Sequence, residues 1–407
     1  MEPISQSDSR DAKDEPMNQE ATTFAAAEET RHAGSRERDD QAKWHEVLGR
    51  RSFLKGVGLA GIATVPVGAV FAAEASAKSA AITNGDVAIL RFLAAAELIE
   101  ADLWQQYDEL GGINGGNPAY IAALSNIDSD MPTYVHLNND DEQSHAAFLN
   151  AYLESKGAAP VNLNAFRTLP SSKATGAKHT GRLTSLTSLH VDTSWYTRYR
   201  SRTNPDFGAK FPQAIEIHKQ PAIPISDADT PPDMAAPLPP TTPAQRRMQV
   251  IACTAAFHFG YIEQGGSSLY SALAEKVTNL EVLRILSSIG PAEAMHFATW
   301  QDDAGNAAAD PVAPVTDPVT GLTIPDLNSS GSRLLQTNLI FPHPCEFISS
   351  KLPHCAIVRP SLDRNGGATA TIASFTADRL FEGQTSKFFR TVHELAAAAD
   401  AAQRQSS

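Results

Sequence analysis

Two Glu-x-x-His pairs, Glu142 to His145 and Glu293 to His296, constrain this chain more than any other feature. Residues three apart on an α-helix are neighbours on one face, so each pair can aim a carboxylate and an imidazole at the same point. With twelve His in 407 residues the pattern also arises by chance. Glu29 to His32 is such a match, inside a polar stretch with too few large apolar residues to offset the entropy of ordering. What separates the other two pairs from it is the helical patterning around them.

Four long segments carry apolar residues at helical spacing. The first, residues 86–110, follows the N-cap candidates Thr83 and Asn84, aligns Val87, Leu90, Leu93, Ala94, Ala101, Trp104 and Tyr107 near one stripe, and stops at Gly111-Gly112. Glu97 and Glu100 sit on or beside that stripe, an expensive place for a carboxylate in a plain core helix. The second segment, residues 131–156, puts Glu142 and His145 in line with Tyr134, Asn138, Leu149 and Tyr152. The third begins after Thr241-Thr242-Pro243, a cap plus a first-turn proline, and runs to about Glu275. Its stripe is Ile251, Ala255, Phe259, Ile262, Leu269 and Leu273, with Glu263 the only acid before the last turn. Gly265-Gly266 just beyond is costly in a helix interior and points to close helix packing or a local bulge. The fourth, capped by Thr278 or Asn279, runs to about Asp302 with Val282, Leu286, Ile289, Glu293, His296 and Trp300 on one face. Pro291 within it predicts a kink.

The intervening and flanking segments read differently. Residues 158–243 have no sustained helical period; a stretch this long is uncommon in a compact domain unless it carries function or covers a surface, so it reads as an ordered crossover with a short strand or two. Residues 304–407 alternate Pro- and Asp-rich pieces with a final helical stretch, about 375–403, bearing Phe375, Leu380, Phe388, Phe389, Val392 and Leu395. That extension is too thin for its own core and is expected to lie against the helices or an oligomer partner. Residues 1–49 read as disordered. Arg50-Arg51-Ser52-Phe53-Leu54-Lys55, the uncharged run to Ala73 and Ala75-Ser76-Ala77 resemble a twin-arginine export signal over residues 50–77, cleaved near Ala77. The alternative is an uncleaved membrane anchor, for which the run is short and interrupted by Gly and Pro66. Export implies a periplasmic or extracellular protein that meets the membrane only in transit.

A formal net charge of −13 argues against nucleic acid as a partner, since phosphate binding needs a basic face. Three Cys leave room for one bridge. A Cys345–Cys355 disulfide is compatible with an exported protein, whereas a zinc site with His343 and His354 is disfavoured because adjacent His354 and Cys355 do not readily reach one ion. Unpaired thiols are the plain alternative, and Cys253 reads as core. His258, near Glu263, reads as an ordinary partly buried histidine, and Asp140 and Asp141 as solvated or as partners of a ligand.

The four long helices therefore carry Glu97 or Glu100, Glu142 with His145, Glu263, and Glu293 with His296. One Glu from each of two helices plus a Glu-x-x-His from each of the other two is the inventory of a dinuclear iron or manganese carboxylate site. Two divalent cations are neutralised by four carboxylates, while two imidazoles complete the shell. Without cations the same carboxylates would converge in a low-dielectric core and repel one another.

Residues 84–303 resemble the ferritin-like superfamily, and most closely the desiccation-related type. The resemblance rests on Ala96-Glu97-Leu98-Ile99-Glu100-Ala101, on Glu142 to His145 with the later turn Gly157-Ala158-Ala159-Pro160, and on Glu293 to His296. It implies an all-α, up-down four-helix bundle with a long ordered crossover between the second and third helices and a C-terminal extension. It also implies that Glu142 and Glu293 bridge two Fe or Mn ions, with Glu97 and Glu263 terminal and one ion on each of His145 and His296. In the superfamily an aromatic residue follows the first-helix ligand by seven. Glu97 has Trp104 there, and Glu100, with Tyr107, is the second choice. Glu263 is the least anchored of the six, with Glu216 or another crossover acid as its replacement. The expected chemistry is redox, on Fe(II), oxygen or peroxide in stress protection. The alternative is a non-catalytic structural or stress-interaction protein that keeps the fold. An iron-storing shell is disfavoured because crossover and tail would crowd its contact surfaces; a smaller homo-oligomer is compatible with the sequence.

Overall fold

The structure is a computed structural model that describes residues 82–200, 211–234, 238–328, 342–343, 349, 351–356 and 367–405. Residues 1–49, the export-signal segment 50–77 and Cys345 lie outside the described residues. Helix α1 (Asn84–Gly111) starts where its cap predicts. Thr83 Oγ1 accepts the Asp86 N–H at 3.0 Å while the Asp86 carboxylate accepts the Thr83 N–H at 3.0 Å, a reciprocal capping box. A short α2 (Pro118–Ser125) leads to α3 (Met131–Ser155). After the crossover with its own α4 (Ser194–Arg200) come α5 (Pro243–Ala274), capped by Thr242 and Gln245, and α6 (Leu280–Ala307), capped by Asn279. Two further helices, α7 (Ala368–Ala377) and α8 (Ser386–Asp400), end the chain.

The described part is mostly helical. Among the described residues the strands form three two-stranded antiparallel ladders. These are β1 (Leu189–Val191) with β2 (Ile217–Gln220), β3 (Val315–Thr316) with β4 (Thr323–Ile324), and β5 (Pro342–His343) with β6 (Cys355–Ala356). Helix α1 packs along α3, and α5 along α6; α8 lies on α1, and α7 touches α5. Helix α5 is the hub. Every residue from Arg247 to Glu263 is buried, because α2, α4, α6, α7 and the β1–β2 and β3–β4 ladders all contact it. Among the described residues no helix is long and apolar enough to cross a membrane.

Three boundaries differ from the sequence reading. Helix α6 runs on from Asp302 to Ala307, because Ala304 and Ala307 are fully buried and Asn328 Nδ2 donates to the Gly305 carbonyl at 2.7 Å. The single C-terminal helix is two. Arg379 and Gly383 adopt positive φ, which no helix tolerates, and Thr385 then caps α8 by accepting the Phe388 N–H at 3.1 Å. In the crossover, Trp195 to Arg200 is helical, held by the burial of Trp195, Tyr196 and Tyr199 rather than by a periodic run. Tyr134, placed on the inner face of α3 by spacing, is 38% exposed.

The crossover is pinned to the outside of α1 by a buried carboxylate. Asp102, fully buried, accepts the backbone N–H groups of Leu183 and Thr184, both at 2.9 Å, and the Thr184 hydroxyl at 2.8 Å, and it pairs with Arg167. Two turns on, Glu109 pairs with Arg182, whose side chain is fully buried. Removing one side of such a pair strands the other in apolar surroundings. Asp102→Ala is therefore expected to cost about 3–5 kcal/mol in urea unfolding. A cost below about 1 kcal/mol would mean that the crossover is held by apolar contacts alone.

Candidate metal centre

Glu97 faces inward from α1 in line with Leu93 and Trp104, Glu142 and His145 from α3, Glu263 from α5, and Glu293 and His296 from α6. The helical repeat that builds each apolar stripe carries these groups into the interior with it. The four carboxylates are no more than 1% exposed. His145 Nδ1 lies 3.3 Å from Glu97 Oε2, 3.3 Å from Glu142 Oε2 and 3.2 Å from Glu293 Oε1. His296 Nδ1 lies 3.3 Å from Glu142 Oε1 and 3.2 Å from Glu263 Oε2. The two imidazoles face one another with centroids 6.3 Å apart.

These six residues form two overlapping sets of four, within each of which one ligand atom per residue lies within 4.8 Å of all the others. Glu97, Glu142, His145 and Glu293 make one set, and Glu142, Glu263, Glu293 and His296 the other. Glu142 and Glu293 belong to both. Glu100 is buried beside the cluster and supplies no atom to either set, so Glu97 is the α1 carboxylate that converges. Glu216 is exposed on the crossover and hydrogen-bonds His218 at 3.0 Å instead of approaching the cluster.

Residues 85–306, more than half of the chain, match the family model for the ferritin-like domain. The chain belongs to that family. Searches of curated proteins and of solved structures returned no match.

Within this ferritin-like domain the electrostatics follow from burial. Burial and the neighbouring Glu263 push the Glu142 carboxyl up to about 7. Burial, then Glu142, Glu263 and Glu97, hold Glu293 well above the usual carboxylate range; burial and Glu293 do the same to Glu100. Burial opposes charge on His145 and His296, but the surrounding carboxylates outweigh it and raise both imidazoles above their ordinary value. Even so, the cluster lacks donors. Glu97 Oε2 and both oxygens of Glu293 are buried without an aligned hydrogen bond, Glu97 Oε2 and Glu293 Oε1 sharing the one Nδ1 of His145 with Glu142. Buried acceptors without donors cost free energy unless something electropositive meets them, and these converge where a cation would sit, so the residues fit a metal.

Several groups that support the cluster carry no motif. Asn138, one turn before Glu142, donates to Glu142 Oε1 at 2.8 Å and to Glu263 Oε1 at 3.1 Å, and accepts the Trp300 indole N–H at 2.8 Å. Tyr270 donates its hydroxyl to Glu97 Oε1. Asp141 Oδ2 lies 3.3 Å from His296 Nε2, the place of a carboxylate that orients an imidazole. Only spacing could have flagged Asn138 and Trp300, four residues from Glu142 and His296 on the same faces; nothing local marks Tyr270. His258 is fully buried, not partly, and burial lowers its imidazole to about 3. Cys253 is buried in α5 and Cys355 is exposed.

The adjacent glycines Gly265 and Gly266 of α5 separate cleanly. A Cβ on Gly266 would fall 2.5 Å from Glu293 Oε2, whereas one on Gly265 would meet nothing within 4 Å. Gly266 is the space that the Glu293 carboxylate occupies. Gly265→Ala is expected to raise stability by up to about 1 kcal/mol and leave bound metal unchanged. Gly266→Ala should displace the carboxylate and lower metal content in elemental analysis. Equal metal content in the two variants would show that Glu293 does not depend on this gap.

Proposed function

We propose that this is an exported protein of the desiccation-related type. In this reading α1, α3, α5 and α6 form an up-down four-helix bundle, residues 158–243 its crossover, and the bundle holds a dinuclear iron or manganese centre that serves stress protection. The observation that carries the reading is that Glu142 and Glu293 are common to both ligand sets. Two adjacent cations need carboxylates placed to serve both, and the remaining residues divide evenly, Glu97 with His145 and Glu263 with His296. When bound, such a pair of ions supplies redox chemistry toward Fe(II), oxygen or peroxide.

The chain's own residues prepare the site. Asn138 fixes one oxygen each of Glu142 and Glu263, and Tyr270 fixes one of Glu97, so the carboxylates are held before any cation arrives. With Asp141 accepting from Nε2 of His296, the Nδ1 lone pair turns to the cluster. Trp104, Trp300 and Phe259, all at most 1% exposed, close the floor against water. His145 and His296 are only 12% and 13% exposed at their side chains, and small molecules would approach between them, where α3 and α6 touch little.

Protein produced with iron and manganese available, and never exposed to chelator, is expected to hold about two ions per chain. Glu97→Ala and Glu263→Ala should each retain about one, and the Glu142→Ala, Glu293→Ala double variant none. A wild-type content below one ion, together with no effect of the double variant, would falsify the reading.

Binding must also expel protons. His145 and His296 are raised and Glu142 titrates near 7 without metal, so cations compete with protons at neutral pH. Apparent affinity should therefore keep rising as pH passes 7, instead of levelling off just above about 6.5 as for ordinary histidines. Calorimetry in buffers of different ionisation heat should register proton release at pH 7, and an absence of release there would contradict the protonated cluster.

A further inference from the structure

A file of aromatic side chains runs away from the carboxylate cluster. It begins at Trp300, whose indole N–H is held by Asn138, the residue that also holds Glu142 and Glu263. Trp300 stacks on Trp104 with ring centroids 5.3 Å apart and planes 24° apart, and Trp104 lies 5.7 Å from Tyr107. Phe259 sits 4.7 Å from both indoles and 4.6 Å from Tyr107, so no solvent separates the rings. The file ends on a buried base: the Tyr107 hydroxyl is 2.8 Å from His258 Nδ1, within proton-transfer reach. Tyr107 and His258 are both fully buried, and His258 Nε2 has no partner among the described residues. A buried Tyr–His pair with an otherwise idle imidazole has no role in holding cations.

We propose that Trp300, Trp104 and the Tyr107–His258 pair form a relay that accepts oxidising equivalents from beside the cluster and stores them reversibly on Tyr107. A one-electron oxidant takes an electron from an indole and is reduced by one electron. Tyr107 then gives an electron to the indole cation radical, restoring the neutral indole. As it does so, the phenolic proton crosses to His258 Nδ1, leaving a neutral phenoxyl beside an imidazolium. One electron from a reductant reverses the step, and the proton returns along the same hydrogen bond. The proton transfer is essential because an oxidised phenol that kept its proton would be a strong acid, and burial gives it no water to protonate. The source of the oxidant in the working protein, a one-electron species derived from peroxide at the centre, rests on the function proposed above; the relay itself does not.

Other tyrosines lack one half of this arrangement. Tyr196 lies 5.9 Å from Trp195, but its hydroxyl is buried with no partner among the described residues. Tyr270 has a carboxylate acceptor, but among the described residues no ring contact joins it to an indole. Tyr134 meets Trp300 edge-on at 6.5 Å and is 38% exposed, so a radical there would be open to solvent.

The test supplies its own oxidant, so it is independent of metal loading. The full chain as purified is exposed to azide radicals, which oxidise indoles, in pulse radiolysis. The indole radical absorbance is expected to decay as a phenoxyl absorbance grows, more slowly in D2O. Freeze-quenched samples should give a phenoxyl paramagnetic resonance signal with coupling to one exchangeable proton. Tyr107→Phe should abolish the phenoxyl and leave the indole radical longer-lived, His258→Gln should suppress its growth, and Tyr134→Phe should change neither. A phenoxyl that survives in Tyr107→Phe, or disappears in Tyr134→Phe, overturns the proposal. If Tyr107→Phe does not fold, the wild-type signal decides: a phenoxyl without the exchangeable coupling overturns it. Metal analysis reads the fate of the centre separately, so loss of one reading is distinguishable from loss of the other.

Discussion

Five carboxylates, those of Glu97, Glu100, Glu142, Glu263 and Glu293, meet in one core where water is excluded. Charges of one sign at such separations in a poor dielectric repel strongly, and each also forfeits its hydration. The chain answers with what donors it has: two imidazoles, the Asn138 amide and the Tyr270 hydroxyl. These leave Glu293 Oε2 unmatched, while Glu293 Oε1 and Glu97 Oε2 share the single Nδ1 of His145 with Glu142. An interior that only had to be stable would have apolar residues there, since replacing buried ionic groups by well-packed apolar ones is often neutral or stabilising. The deficit of positive charge is thus the feature that the surrounding architecture serves.

That architecture keeps the cluster dry and its walls fixed. Helix α5 is sheathed along seventeen consecutive residues, Arg247 to Glu263, by the crossover, α2, α6 and α7, so the helix bearing Glu263 has almost no solvent face. The crossover achieves this through polar anchors as well as apolar ones. Asp102 and Glu109 on α1 take the arginines and backbone N–H groups of residues 167–184, and Arg247 on α5 joins Asp229 of the crossover to Asp317 beyond α6. The start of α1 is tied to the α5–α6 turn by Asp86, which accepts the Thr278 N–H at 2.9 Å. Each tie satisfies groups that burial would otherwise strand, and together they fix the helices that carry the clustered carboxylates and imidazoles.

Much of this was legible in the residue order, for reasons that can be stated at particular positions. Thr83, Thr242 and Asn279 cap helices because a side-chain oxygen reaches N–H groups two or three residues on, an interaction that needs no partner from elsewhere. Glu142 with His145 and Glu293 with His296 point the same way because a helix places residues three apart on one face. The convergence of Glu97 and Glu263 with them followed from lying on the apolar stripes of two further helices. The C-terminal end of α6 and the break between α7 and α8 were not legible, since they depend on Asn328 reaching Gly305 and on backbone turned at Arg379 and Gly383.

Local sequence thus determined the four long helices, where they begin, and most of the side chains they turn to the interior, because those outcomes rest on contacts within a few residues. Tertiary structure alone decided between Glu97 and Glu100, which share a face and each have an aromatic residue seven positions on; which one reaches His145 depends on how α1 is seated against α3. It also decided that Asn138, Tyr270 and Gly266 belong to the cluster, and that Tyr107 meets His258 across 151 positions of chain. These contacts join residues far apart in sequence, and no periodicity within a helix encodes the distance between two helices.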